Sequence, residues 1–287
     1  MTLAEKKLFT VSEHGTELSN KNIKKIIYTM LQEIVMICEE NGICYYLSGG
    51  TLLGAIRHQG FIPWDDDIDI NIPRPDCEKL MRISKEKLKN SILIGASEDN
   101  PTGCEYWRVY DFNTIVFDSG GENLRTYPLF IDIFPIDGLP SSFIGTKIFY
   151  FIINCIRKMM RISKLDKWSK ANTKGAYIFH VLVGPIIKKI GYKKWFYLLQ
   201  KVQTHYGYEE SAYVGVTTCR KHTIVERVKK EVYGIPVKVQ FEGSDFNAPA
   251  DYNTYLMQLY GDYMKIPSIE KQVSVHEFKC YMRKGEV

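Results

Sequence analysis

Two aspartates that are two positions apart, Asp67 and Asp69, carry the clearest chemical signal in this sequence. From position 67 to 72, acidic or polar residues alternate with isoleucines. A period of two is typical of a strand, so we expect both carboxylates on one face and Ile68 and Ile70 in the core. Carboxylates a few ångströms apart repel by roughly 4 kcal/mol at an effective dielectric constant of about 20, and a hard divalent cation reverses that repulsion. The pattern predicts a Mg2+ site, and the alternative is an acidic surface loop.

A third carboxylate from another strand would complete such a site, and Asp132 is the best candidate. It lies inside the aliphatic pattern of residues 129–134, where a buried acid needs a partner to offset its desolvation. Asp137 follows Pro135 and precedes Gly138, so we expect it in a turn with a structural role.

A glycine pair, Gly49-Gly50, precedes Thr51 after a short apolar segment. Glycines allow backbone N–H groups to approach a phosphate closely, and a helix beginning at Thr51 offers its positive end to an anion. Alone, such a pair usually marks only a turn. Placed ahead of the acidic strand, it predicts a turn that binds a nucleotide's diphosphate.

Two further side chains lie between the glycines and the acids. Arg57 is a candidate phosphate clamp through its bidentate geometry, and the alternative is a salt bridge to Asp65 or Asp66. Trp64 either stacks on a base or sugar or simply packs the loop. Three more residues are candidates to face the site from a neighbouring strand: Glu105, Tyr106 and Arg108.

Positioning these groups requires helices and strands around them. Apolar residues recur with helical spacing over 19–40, before a short buried strand at 43–47, a helix over 51–58 and a helix capped by Asp76. Further strand candidates cover 92–94, 107–110, 114–117 and 129–134. This order predicts an α+β domain built on a mixed sheet.

Composition narrows the functional classes. The chain has 287 residues and a net charge of +5, too mild to indicate a nucleic-acid partner. Its 7 cysteines are scattered without a CxxC pair, which favours reduced thiols in the cytoplasm. The first residues lack the apolar core of a signal peptide, and no apolar run reaches the ~18–20 residues of a membrane span.

The charge is concentrated in one segment. Residues 141–205 contain 13 Lys and Arg and one acid, a net charge of +12. We expect two or three helices there, forming either a helical subdomain with a solvated basic face or a surface that contacts anionic lipid. The chain therefore divides into a catalytic core (19–140), this basic helical segment (141–205) and a C-terminal part that completes the catalytic domain (206–287).

Two motifs, SGGTLLGAIRHQGFIPWDDDIDI and FIDIFPIDG, together resemble the LicD family, which includes the fukutin-related proteins. The segment VQFEGSDFNAPADYNTYLMQLYGDYMKIP is similar to that family's C-terminal block. The resemblance covers roughly 28–138 and 213–277 of this chain, and the first motif is highly specific.

The resemblance implies a nucleotidyltransferase-like fold that transfers a phospho-alcohol from a CDP-alcohol, typically CDP-choline, to a sugar hydroxyl and releases CMP. The acceptor would be a lipid-linked glycan precursor of teichoic acid or lipopolysaccharide, and the enzyme would be cytoplasmic. Segment 141–205 lies outside the resemblance; its basic charge alone suggests peripheral contact with the inner face of the plasma membrane. Carried over to this sequence, the resemblance assigns Asp67, Asp69 and Asp132 as the metal ligands. The metal would be Mg2+, with Mn2+ as the alternative. The phosphate-binding turn would be Gly49, Gly50 and Thr51.

The transferred alcohol is left open between choline, glycerol and ribitol. A quaternary ammonium favours an aromatic cage. Candidates for it include Tyr45, Trp107, Tyr110, Tyr127 and Tyr260.

Two rival functions remain. An ordinary nucleotidyltransferase would transfer NMP from an NTP and release pyrophosphate. A non-catalytic nucleotide-binding or membrane-scaffolding module would tolerate neutralisation of all three aspartates.

Overall fold

A computed structural model describes residues 14–97, 104–118, 125–165, 174–219, 224–274 and 278–284. The predicted α+β class is confirmed. The helices are α1 (Asn20–Glu40), α2 (Gly49–His58), α3 (Arg74–Lys87), α4 (Phe143–Ser163), α5 (Lys174–Ile190), α6 (Tyr192–Gln203), α7 (Lys230–Tyr233) and α8 (Tyr252–Tyr260). The strands are β1 (His14–Glu17), β2 (Tyr46–Leu47), β3 (Asp69–Pro73), β4 (Ser91–Ile94), β5 (Trp107–Asp111), β6 (Thr114–Asp118), β7 (Arg125–Tyr127), β8 (Phe130–Leu139), β9 (Tyr213–Val216), β10 (Val228–Lys229), β11 (Val237–Phe241), β12 (Ser244–Ala248) and β13 (Phe278–Arg283).

A seven-stranded mixed sheet forms the centre, with β10, β9, β8, β3 and β2 in that order and β5 joining β4 to β8. Strand β8 is the longest, and it pairs in parallel with β3 and antiparallel with both β5 and β9. A four-stranded antiparallel sheet (β1, β13, β6, β7) and the hairpin β11–β12 lie beside it. The functional side chains are therefore arranged around β8.

Helix α1 covers one face of the core, as its apolar spacing predicts. Ser19 caps it by accepting a hydrogen bond from the backbone N–H of Asn22 (3.3 Å). Its buried stripe consists of Ile23, Ile27, Met30, Leu31, Ile34, Val35, Ile37 and Cys38. These side chains join the strand residues in one large hydrophobic cluster.

Three local predictions need correction. Helix α2 begins at Gly49, so the glycine pair forms its first turn instead of preceding it. Strand β3 begins at Asp69, so Asp67 lies in the loop before it. Asp76 does not cap α3; it lies in the first turn and accepts the backbone N–H of Cys44 (3.0 Å).

Asp137 lies within β8 and not in a turn, although its structural role is as expected. Its carboxylate is buried and forms a bidentate ion pair with Arg74 of α3. Thr217, just after β9, also donates a hydrogen bond to it. Tertiary pairing on both edges of β8 holds Pro135 and Gly138 in an extended strand.

The described residues of segment 141–205 form α4, α5 and α6, in line with the two or three helices expected there, and they have their own core. Helices α4 and α6 enclose a second hydrophobic cluster that includes Phe149, Ile153 and Leu199. Arg157 of α4 anchors this unit to the sheet through a buried ion pair with Glu105 (2.7 Å). The division at residues 140 and 205 stays a prediction.

No helix in the described parts of the chain is both long and apolar enough to cross a membrane.

The Arg74–Asp137 pair gives a stability prediction. We expect Arg74→Met to lower the free energy of unfolding by about 3–5 kcal/mol, because it leaves a buried carboxylate without its cation. The matched control is Lys87→Met, which breaks the exposed pair with Glu40 (2.6 Å) and should cost less than about 1 kcal/mol. Urea unfolding of both variants measures the difference, and equal losses would contradict a structural role for the buried pair.

Candidate active site

The first turn of α2 lies against the acidic residues, and its glycines make that approach feasible. A Cβ on Gly50 would lie 2.6 Å from Oδ2 of Asp65, and one on Gly49 would lie 3.3 Å from Oδ2 of Asp69. Gly49 also has a φ of +51°, a left-handed conformation that favours glycine. The helix start therefore faces carboxylates directly, at the end where its unpaired N–H groups concentrate positive potential.

Asp69 and Asp132 are brought together by strand pairing. In the parallel register of β3 and β8 they lie opposite each other. The backbone N–H of Asp69 donates to the Thr51 hydroxyl (2.9 Å), which ties β3 to α2. The hydroxyl of Thr51 thus fixes the acidic strand against the helix.

Arg108 is the main site residue that the sequence did not place. It lies opposite Asp132 on β5 and binds it through both carboxylate oxygens, at 2.5 Å (Nε to Oδ1) and 3.2 Å (Nη2 to Oδ2). Its guanidinium also stacks on the Phe130 ring (3.7 Å to the centroid) and donates to the Tyr106 hydroxyl (2.9 Å). Glu105 instead turns away from the site toward Arg157.

The loop before β3 brings three more carboxylates together. Oxygens of Asp65, Asp66 and Asp67 all lie within 4.8 Å of one another. Asp66 accepts a hydrogen bond from the Ser274 hydroxyl (2.8 Å). Lys24 of α1 holds the start of the loop by donating to the carbonyl of Pro63 (3.1 Å). Contacts with distant parts of the chain thus give the loop its shape.

Repulsion among these acids is visible in Asp69. Burial raises the pKa of its carboxyl well above the ordinary value, and the charges of Asp67, Asp132 and Asp65 raise it further, while Arg108 opposes them. Concentrated carboxylate oxygens of this kind fit a hard divalent cation such as Mg2+, which offsets the repulsion. The donor set therefore suits the predicted metal, and the ligand assignment Asp67, Asp69 and Asp132 stays a prediction.

Arg57 lies at the end of α2 and contacts the C-terminal part of the chain. Its Nη1 donates to the backbone carbonyls of Tyr263 (2.8 Å) and Lys265 (3.4 Å). Trp64 contacts the His58 ring edge to face, with 6.2 Å between centroids. Both residues border the acidic loop, and their roles as phosphate clamp and stacking platform remain predictions.

Among the five aromatic candidates, Tyr260 at the end of α8 lies beside the acids. A Cβ on Gly49 would lie 3.6 Å from its hydroxyl. Burial raises the pKa of that phenol, and the charges of Asp69 and Glu226 add to the effect. Tyr45 and Tyr110, in contrast, are fully buried side chains.

Comparison with known proteins identifies the family. Residues 42–151 match a family model described as LicD/FKTN/FKRP, nucleotidyltransferase domain. The lipopolysaccharide cholinephosphotransferase LicD of Haemophilus influenzae is 31% identical over 274 residues, 93% of this chain and 99% of the relative. The chain belongs to the LicD family. A shorter match of 50 residues, 48% identical, relates this chain to the human ribitol 5-phosphate transferase FKRP, covering 16% of this chain and 10% of that protein.

The close approach of α2 to the acids gives a prediction about metal binding. We expect Gly50→Ala to raise the Kd for Mn2+, used as a stand-in for Mg2+, by about tenfold or more, because the new methyl group displaces the Asp65 carboxylate. Electron paramagnetic resonance of free Mn2+ measures the affinity.

The control is Gly42→Ala, which introduces strain at a φ of +59° in open space, remote from the acids. This variant should lose thermal stability and keep its Mn2+ affinity. An unchanged Mn2+ affinity in Gly50→Ala would contradict a cation site beside α2.

Proposed function

We propose that the protein transfers phosphocholine from CDP-choline to a hydroxyl of a lipid-linked glycan precursor and releases CMP. The supporting observation is the group of carboxylates that β3 and β8 gather at the start of α2. The near full-length relationship to a cholinephosphotransferase favours the choline donor over other CDP-alcohols. The acceptor sugar would belong to lipopolysaccharide or teichoic acid.

In this proposal Asp67, Asp69 and Asp132 hold Mg2+, with Mn2+ as the alternative. When bound, the cation neutralises charge on the diphosphate and on the departing CMP. The N–H groups of Gly50 and Thr51 at the helix start and the guanidinium of Arg57 orient the phosphates.

Asp132 also accepts the proton of the attacking hydroxyl. Arg108 binds Oδ1 of Asp132 closely and Oδ2 more loosely (2.5 Å and 3.2 Å), so Oδ2 is the better placed acceptor. The ion pair fixes the plane of the Asp132 carboxylate. Oδ2 can then hold the attacking sugar hydroxyl in line with the oxygen of the departing CMP. The rival nucleotidyl transfer uses the same residues and releases pyrophosphate instead of CMP.

The basic helical segment suits an acceptor attached to lipid. Large apolar side chains project into solvent along α4, α5 and α6, with Ile144, Phe151, Leu182 and Tyr197 each between 68% and 70% exposed. Their neighbours include Lys147, which lies 4.7 Å over the ring of Phe143. An apolar face bordered by a charge of +12 complements an anionic bilayer. We therefore propose peripheral contact at the cytoplasmic face of the membrane.

The ligand assignment gives a catalytic prediction. Asp67→Asn, Asp69→Asn and Asp132→Asn should each lower kcat for CMP release from CDP-choline with Mg2+ by about 10²–10³-fold or more, because each removes negative charge that positions the metal. Coupled detection of CMP measures the rate, and circular dichroism checks the fold.

Asp245→Asn, an exposed acid on β12, is the matched control and should retain full activity. Near-normal turnover in any of the three site variants would remove that residue from the proposed ligand set.

The membrane proposal predicts salt-dependent binding to vesicles that contain phosphatidylglycerol. Ile144→Ser/Ile148→Ser/Phe151→Ser should weaken binding by about tenfold or more, since three apolar side chains leave the bilayer interface. Co-sedimentation at low and high salt gives the affinities.

Ile235→Ser/Ile269→Ser removes two side chains that are 88% and 84% exposed outside this face, and it should bind as the wild type does. The proposed surface would be refuted if the triple variant bound the vesicles as tightly as the wild type does. It would also be refuted if binding of the wild type did not depend on salt.

A further inference from the structure

Ser48 lies at the N-cap position of α2 but does not cap the helix. Its backbone is extended (φ −134°, ψ 162°), as is typical of an N-cap residue, and serine is among the residues preferred there. In the described part of the chain, however, its side chain makes no capping hydrogen bond. The hydroxyl instead forms a hydrogen bond with that of Tyr255 on α8, at 3.1 Å between the oxygens. Ser48 therefore leaves the N–H groups of the first turn to another acceptor.

Tyr255 is held from a second side by the strand that carries Asp69. The amide nitrogen of Asn71 on β3 donates a hydrogen bond to the hydroxyl of Tyr255 (3.3 Å) and to that of Tyr233 on α7 (3.0 Å). An amide nitrogen only donates, so the phenol oxygen of Tyr255 accepts here and its own proton is available for Ser48. Asn71, Tyr255 and Ser48 thus form a chain of hydrogen bonds from β3 to the start of α2.

Asp69 is tied to the same helix start through its backbone. Its carbonyl accepts the N–H of Ser48 (3.1 Å), and its N–H donates to the hydroxyl of Thr51 (2.9 Å). Asn71 lies two residues further along β3, so its side chain is on the same face of the strand as that of Asp69. Two links through the Asp69 backbone and one through side chains therefore connect the acidic strand with α2.

The Tyr255 side chain is a fixed point because its surroundings are closely packed. Ser48, Asn71 and Tyr255 are each at most 5% exposed. The Tyr255 ring lies 5.8 Å from the Tyr233 ring, centroid to centroid. Burial raises the pKa of the Tyr255 phenol well above its ordinary value, so the hydroxyl keeps its proton at neutral pH. A hydroxyl held in this way limits how far the start of α2 can move.

A buried hydroxyl with two partners can also serve stability alone, and Tyr233 provides the comparison. Its hydroxyl accepts from the same Asn71 amide, while the link to Ser48 passes through Tyr255. If both hydroxyls only satisfied polar groups in the core, removal of either one would lower stability and nothing else. The contact with Ser48 is what distinguishes Tyr255 from Tyr233.

We infer that Tyr255 is a positioning residue for the transfer reaction. Its hydroxyl holds Ser48, and through it the first turn of α2, in the orientation that directs the N–H groups toward the donor phosphates. The inference rests on the proposed function, in which the N–H groups of Gly50 and Thr51 bind the diphosphate. It gives the C-terminal part of the chain a role in a phosphate-binding turn that begins 207 residues earlier.

The test combines Tyr255→Phe, Ser48→Ala and the double variant. Each single variant should lower kcat/KM for CMP release from CDP-choline with Mg2+ by about five- to tenfold, because a hydrogen bond that orients the helix start is lost. The double variant should lose no more than the weaker single variant, since both substitutions break the same hydrogen bond. Losses that multiply in the double variant, or a wild-type rate in either single variant, would overturn the inference. Ser48→Ala carries the test alone if Tyr255→Phe does not fold.

Tyr233→Phe is the matched control, because it removes a buried hydroxyl from the same Asn71 amide and keeps the link to Ser48. It should lose about as much thermal stability as Tyr255→Phe and keep kcat/KM within about twofold of the wild-type value. Thermal melting and the CMP assay measure the two quantities. An equal loss of kcat/KM in both tyrosine variants would reveal a general effect on the core and contradict a specific role for Tyr255.

Ligand binding separates this inference from the reaction itself. Tyr255→Phe should raise the Kd for CMP by about fivefold and leave the Kd for cytidine unchanged, since cytidine has no phosphate for the helix start to bind. NMR titration with each ligand gives both values. A rise that is equal for the two ligands, or absent for CMP, would overturn the positioning role. Wild-type protein that binds CMP but does not release it from CDP-choline would instead overturn the proposed function.

Discussion

The parallel pairing of β3 with β8 is the constraint on which the rest of the site depends. It places Asp69 beside Asp132, and two ionised carboxylates at this spacing repel each other unless positive charge compensates them. Arg108 supplies part of that charge from β5, and the N-terminal end of α2 faces Asp69 from the other side. The remaining negative charge is what suits the site to a divalent cation and an anionic donor.

The sheet face that carries the acids also carries a buried polar network. One row of side chains presents Asp69 and Asp132, and two residues further along β3 the side-chain amide of Asn71 donates to the hydroxyls of Tyr233 and Tyr255. Tyr255 also hydrogen-bonds Ser48, the residue before α2 (3.1 Å). This network joins β3, α7 and α8 to the start of α2 and so supports the helix end that faces the acids.

Features governed by local periodicity could be predicted from the sequence. The stripe of α1, the strand phase of Asp69 and the position of Asp132 within a strand all follow from patterns over a few residues. Asp137 was misplaced because Pro135 and Gly138 are typical turn residues, whereas pairing on both edges of β8 keeps them extended. Arg108 could be named as a candidate, but its ion pair with Asp132 depends on the register of β5 and β8, which no local pattern carries.

The central claim is that these carboxylates serve the transfer of phosphocholine. Its most direct test is incubation of the protein with CDP-choline, Mg2+ and a lipid-linked glycan precursor, followed by mass spectrometry of acceptor and nucleotide. The account predicts a phosphocholine increment on the glycan and an equal amount of CMP. Absence of that increment, together with release of pyrophosphate when CTP replaces CDP-choline, would contradict it.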